Sequence, residues 1–161
     1  MSYLVDGNNV MAQRVGWHRD RPGARRRLVR ELARLAREAG VSVEVVFDGA
    51  PDDSLPEGEH FMGVRVLYAE RGSDADERIK ALVEASRERR TLKVVTSDRA
   101  LADYVRRCGA EVVRSGDFRR RLERAGEGAR ETAERSGRGG VKESEMDDWM
   151  YYFGVSAEDD E

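Results

Sequence analysis

The chain has 161 residues, 39% of them hydrophobic and 38% charged, which is the size of one charged domain with a single core. Its 29 basic and 32 acidic residues are unevenly placed: residues 143–161 hold eight acids and neither Lys nor Arg, leaving a net charge of +5 on residues 1–142, as suits a polyanion partner. No apolar run approaches the roughly 18 residues that a membrane helix needs, and the N-terminal Met-Ser-Tyr-Leu-Val-Asp reads as a strand rather than a signal peptide, so a soluble, cytoplasmic protein is expected.

Apolar runs and helical stripes then alternate. Tyr3 to Val5 is a short buried strand ending at Asp6. Pro22 to Ala39 is a helix, with Leu28, Leu32, Leu35 and Ala39 on one face and Gly40 as a stop. Val41 to Phe47 is a Val-rich strand ending at Asp48, and Gly49 to Gly63, with Pro51 and Pro56, is a long loop. Val64 to Ala69 is a third strand. Asp74 to Arg89 is a helix capped by Ser73 or Asp74, with Ile79, Leu82 and Val83 inward. Leu92 to Thr96 is a fourth strand, Ala100 to Cys108 a helix stopped by Gly109, and Glu111 to Arg114 a fifth strand. A basic helix starts at Phe118 and runs to Ala125; Gly126 to Gly140 reads as a flexible linker, and 141–161 as an acidic aromatic segment. Alternating strands and helices predict an α/β fold with a parallel sheet covered on both faces.

Ligands of such a sheet bind beyond the carboxyl ends of its strands. Asp6, Asp48 and Asp98 each follow a strand there, and Asp74, Asp76 and Glu77 open the helix after the third. Like charges gathered at one edge repel unless a cation or protons neutralise them. With one Cys and two His in the chain, oxygen ligands and therefore Mg²⁺ or Mn²⁺ are indicated, the apparatus of phosphodiester hydrolysis. Each Asp has an alternative as helix cap or turn former; Asp74 suits a cap best, and Asp48 before Gly49 suits a turn.

Four motifs occur in order: Leu4-Val5-Asp6-Gly7-Asn8-Asn9-Val10, Val45-Val46-Phe47-Asp48-Gly49, Ser73-Asp74-Ala75-Asp76-Glu77-Arg78-Ile79 and Val95-Thr96-Ser97-Asp98-Arg99. Over residues 2–125 they resemble the YacP-like branch of the NYN domains, in the PIN-like nuclease superfamily. The resemblance implies a PIN-like α/β/α sandwich around about five parallel strands. It also implies a metal-dependent endoribonuclease, with relatives that act on messenger RNA at the ribosome. Asp6, Asp76 and Asp98 match the family's catalytic, metal-binding acids, and Asp48 is a less regular companion ligand. Asn8 and Glu77 fall beside those acids, and Ser97 would support a phosphate or a bound water.

Candidates for the RNA track are Arg25 to Arg27 and Arg119 to Arg121, although either triplet could be a solvated helix face, the reading slightly preferred for Arg25 to Arg27. Arg14 and Trp17 lie in the loop after Asp6, and Trp17 suits either an unpaired base or a core lid. A non-catalytic RNA- or ribosome-binding module is the alternative function. Haloacid-dehalogenase and receiver chemistry fit poorly: Gly7-Asn8 replaces the acidic pattern after the first strand, and Arg114-Ser115 stands where a receiver needs Lys. The tail, with Met146, Trp149, Met150 and Phe153 at helical spacing, suits a helix docked on its own body or on a second copy in a homodimer.

Overall fold

Strand residues alternate between two buried faces. Tyr3 and Val5 enter one core with Val43, Val45, Phe47, Val64 and Val66, while Leu4, Val46, Leu67 and Val94 enter another. This period-2 split of apolar residues is what a sheet covered on both sides requires. The computed structural model describes residues 1–69 and 71–136, the last ten as backbone.

The sheet comprises β1 (Ser2–Asp6), β2 (Ser42–Phe47), β3 (His60–Phe61), β4 (Val64–Tyr68), β5 (Leu92–Val95) and β6 (Glu111–Val113). Its order is β3-β4-β2-β1-β5-β6, parallel except for the β3–β4 pair. Helices α1 (Gly7–Met11), α2 (Arg21–Ala39) and α5 (Ser115–Ser136) cover the first core. Helices α3 (Ala75–Ala85) and α4 (Arg99–Arg107) cover the second. The result is the expected three-layer α/β/α sandwich, with a sixth, antiparallel edge strand inside the long loop. No helix among the described residues is long and apolar enough to cross a membrane.

Helices α2, α3 and α4 each start on a side-chain cap. Asp20 accepts from the Gly23 N–H, Asp74 from the Glu77 N–H and Asp98 from the Leu101 N–H, at 3.0, 3.0 and 2.9 Å. Asp74 is thus the cap its position suggests. α2 stops where Gly40 turns left-handed at φ 65°.

Two expectations need correction. The α3 helix ends at Ala85, four residues early, because Ser86 turns extended. The linker does not begin at Gly126, since α5 continues through it to Ser136, driven by buried Phe118 and Leu122 and by helix-forming Glu, Arg and Ala. Residues 137–140 and the acidic aromatic segment lie outside the described residues.

α1, unforeseen from Gly7-Asn8-Asn9, turns the chain sharply off the end of β1. A Cβ on Gly7 would stand 2.5 Å from Phe47 Cδ1 and 3.0 Å from Val45 Cγ2. Phe47 is fully buried and cannot retreat. Gly7→Ala is therefore expected to cost about 1–3 kcal/mol, as overpacked sites do, read as a lower midpoint in a urea melt.

Candidate active site

Strand order reverses between β1 and β5: from β1 the chain builds outward through β2 and β4, then returns to lay β5 and β6 on the other side. A crevice opens where neighbouring strands send their connections to opposite sides. Asp6 ends β1 and Thr96-Ser97-Asp98 follows β5, so the two motifs flank this switch point.

Asp6 is 5% exposed. Its Oδ2 accepts from the Thr96 hydroxyl at 3.1 Å, and its carboxylate also takes the Asn9 backbone N–H. Burial first, then the charges of Asp76 and Asp48, push its pKa up to about 7 despite those hydrogen bonds. Asp76, in the first turn of α3, is also raised, by burial and then by Asp98, Asp74 and Asp48, with Lys80 opposing. Asp6 therefore feels the charges of Asp76 and Asp48, and Asp76 those of Asp98, Asp74 and Asp48, at one edge.

Asp48 and Asp98 hold this edge together as well as charging it. Asp48 Oδ1 accepts from the Ala75 N–H at 2.7 Å, tying the end of β2 to the start of α3. Asp98 spends Oδ1 on the α4 cap. Asn8 Oδ1 accepts from the Asp48 N–H at 3.1 Å, so it locks the β1 and β2 ends. The Ser97 hydroxyl accepts from the Ser115 N–H at 3.0 Å. Glu77 faces solvent and pairs with Lys80 at 3.5 Å.

Three further residues complete the site. Thr96, 1% exposed, donates to Asp6 and accepts from the Asp98 N–H at 3.2 Å, linking the two motifs through one hydroxyl. Asn9 Oδ1 accepts from the Ser97 N–H at 2.9 Å and from the buried Ser115 hydroxyl. Arg25 donates to the Asp48 and Ala50 carbonyls, with its guanidinium 5.6 and 5.3 Å from the Phe47 and Tyr68 ring centres. A polar residue closing a buried strand was a signal for Thr96, and Arg25 shares the inward stripe of Leu28 and Leu32.

The basic triplets are not simple RNA tracks. Arg25 is buried rather than on a solvated face, because its fork satisfies two loop carbonyls. Arg119 is 6% exposed and turned inward onto Glu31 and Glu123 at 3.1 and 3.3 Å, which corrects its expected place on the RNA surface. Arg120 is exposed and pairs with Asp117; Arg121 donates to the Tyr3 hydroxyl at 2.7 Å. Arg14 lies 3.7 Å from Glu31, and Trp17 is half-buried against the first core with Arg21 over its ring. A different basic groove, about 500 Å³ and lined by Arg99, Arg106 and Arg114, adjoins Thr96 and Ser97.

An oxygen-only set of mutually repelling carboxylates fits a hard divalent ion by its chemistry. As placed, however, no three Asp, Glu, His or Cys side chains among the described residues stand together closely enough to chelate one ion.

The fold has counterparts among solved structures. Rae1 (YacP) from Bacillus subtilis superposes with a TM-score of 0.68 at 24% identity, over 91% of this chain and 89% of that one. A single-substitution variant of the same protein gives 0.66 at 22%, over 85% and 83%. A search of curated proteins found no match. The YacP-like NYN domain family matches residues 3–150, past the domain end expected at 125. The chain belongs to the YacP-like NYN domain family.

Proposed function

We propose that this protein is a divalent-metal-dependent endoribonuclease that hydrolyses RNA phosphodiesters at the switch-point edge. The observation that carries the reading is the buried Asp6 carboxylate, raised to about 7 beside Asp76 and Asp48 at a ligand-binding edge. A carboxylate kept at such a cost to the fold is more readily understood as a ligand than as a cap alone.

Asp6, Asp76 and Asp98 would hold Mg²⁺ or Mn²⁺ once the ion's charge draws them closer than they stand here, with Asp48 adjacent. The ion would polarise the scissile phosphate and lower the pKa of the attacking water. Thr96 and Asn9 keep Asp6 and Ser97 in position, and Asn8 does the same for Asp48. Arg99, Arg106 and Arg114 would carry the RNA backbone away from the edge along their groove, giving salt-sensitive and sequence-independent affinity. Messenger RNA on a cytoplasmic ribosome, the substrate that the family resemblance implies, would meet the same basic surface, and a second copy of the chain remains a candidate partner for the acidic tail.

Labelled single-stranded RNA incubated with Mn²⁺ or Mg²⁺ is expected to be cleaved internally, and EDTA to stop it. Asp76→Asn and Asp98→Gln are expected to reduce cleavage by more than the 10–100-fold typical of residues that merely support a metal ligand. RNA binding without cleavage in the wild type, under both ions, would establish the non-catalytic module instead.

A further inference from the structure

A second concavity lies on the other side of α1. It is about 230 Å³ and is lined by Met11, Arg14, Trp17, Arg27, Glu31 and Arg119 among others. Clefts for drug-sized ligands are roughly 300–1,000 Å³, so this one suits something smaller, such as one heterocycle. Its wall combines an indole, the largely buried Glu31 carboxylate, the exposed Asp20 carboxylate and three guanidinium groups. Glu31 is 18% exposed and touches Arg14 and Arg119 at 3.7 and 3.1 Å, both through Oε1. Arg119 has a further nitrogen, Nη2, that is buried without a hydrogen-bond partner. The lining thus holds three guanidinium groups against two carboxylates, Glu31 and Asp20, and Glu123 also pairs with Arg119.

The cavity is also connected to the carboxylate edge. α1 starts next to Asp6 and ends at Met11, which lines the cavity; five residues at 1.5 Å each make about 7.5 Å of helix. A strand crossing the edge would pass about one short helix away from this pocket.

We infer that the pocket between α1, α2 and α5 binds one unstacked guanine of the RNA, beside the bond to be cut. Trp17 supplies the stacking wall. Glu31 accepts from N1–H and N2–H, and an arginine donates to O6 or N7. Guanine is the only one of the four bases that offers a single carboxylate two adjacent N–H donors, and its O6 and N7 are the usual arginine acceptors. Arg14 and Arg27 face the adjoining phosphate. This assignment rests on the ribonuclease reading above for its substrate but not for its test.

Fluorescence anisotropy in EDTA measures binding without cleavage. The probes are oligouridylates that carry one central guanosine, adenosine or inosine, or none. Guanosine is expected to tighten binding about tenfold over adenosine, within the discrimination of a good bidentate contact. Inosine, which lacks the N2 amine, should fall between them. Glu31→Gln should erase the guanosine preference, and Trp17→Leu should weaken the guanosine probe about tenfold towards the all-uridine value. Because Glu31→Gln also removes a partner of Arg119, its melting is measured alongside; the inosine probe tests the carboxylate with no change in the protein. Equal binding of guanosine, adenosine and inosine probes overturns the inference, as does a preference that survives both substitutions. Cleavage without base preference refutes the pocket alone, whereas guanosine-selective binding without cleavage under Mn²⁺ or Mg²⁺ refutes the nuclease alone.

Discussion

Asp6→Asn is expected to abolish RNA cleavage and, in metal-free protein at pH 8, to raise stability. The Asp6 pKa is raised from 3.8 to about 7, mainly by burial. Below pH 3.8 both folded and unfolded states hold the proton and nothing is lost. Between about pH 4 and 7 the unfolded chain releases it while the folded protein retains it, so stability falls as pH rises. Above pH 7 both are ionised, and the folded state carries the full penalty. Three pKa units at 1.36 kcal/mol each put that penalty on the order of 4 kcal/mol. Asparagine keeps an oxygen for Thr96 and Asn9 and removes the charge. Urea melts in EDTA should show the wild type losing stability from pH 4 to 8, and the variant changing less and lying above it at pH 8. Mn²⁺ should raise the wild-type midpoint at pH 8 and leave the variant unmoved. Parallel pH profiles for the two proteins would remove Asp6 as the source of the strain.

Arg25→Ala is expected to have the largest effect of any change outside the carboxylates, and in the opposite direction on stability. The guanidinium satisfies the Asp48 and Ala50 carbonyls and stands over Phe47 and Tyr68. The half-buried Asp48 carbonyl left without a donor costs about 1–3 kcal/mol, the exposed Ala50 carbonyl less, and the two lost ring contacts add to that. A loss of about 3 kcal/mol corresponds to a Tm lower by about 6–12 °C for a domain of this size. Asp48 also holds the start of α3 through Ala75, so loosening its loop loosens Asp76. Cleavage should therefore fall more than folding explains when assayed well below the melting range. Arg25→Lys restores the charge but not the two-pronged fork and should recover only part of either property. A variant that melts within 2 °C of the wild type would show that the loop needs no clamp.

Why some of this was legible and some was not follows from the residues. Strands β1, β2, β4 and β5 announce themselves as Val, Leu and Tyr runs that end in polar residues, and the strand-end acids point to one edge before any coordinates exist. α1 was hidden because Gly and two Asn are weak helix formers, held helical here by the sharp turn beneath Phe47. β3 is two residues within a Gly- and Pro-rich loop, too short for any period to show. The basic triplets misled because arginine is common throughout the chain, and only position on a helical stripe separates the inward members. Arg25 stands three residues before Leu28, and Arg119 three before Leu122; a cation on an apolar stripe is a clamp more often than a landing site.

The link between Thr96 and Asp6 spans ninety residues. Asn9 reaches about as far, to Ser97, and further still to Ser115, so no contiguous stretch of the chain holds even half of the edge. A polypeptide leaving the ribosome therefore exposes Asp6 long before Thr96, the hydroxyl that ties it across the sheet, exists. The proposed competence to cut would arrive as one late event, when β5 pairs with β1, rather than accumulating with length. A fragment that ends before Thr96 has the leading acid without the hydroxyl that ties it to β5, so topology itself would keep a half-made form of the proposed nuclease idle.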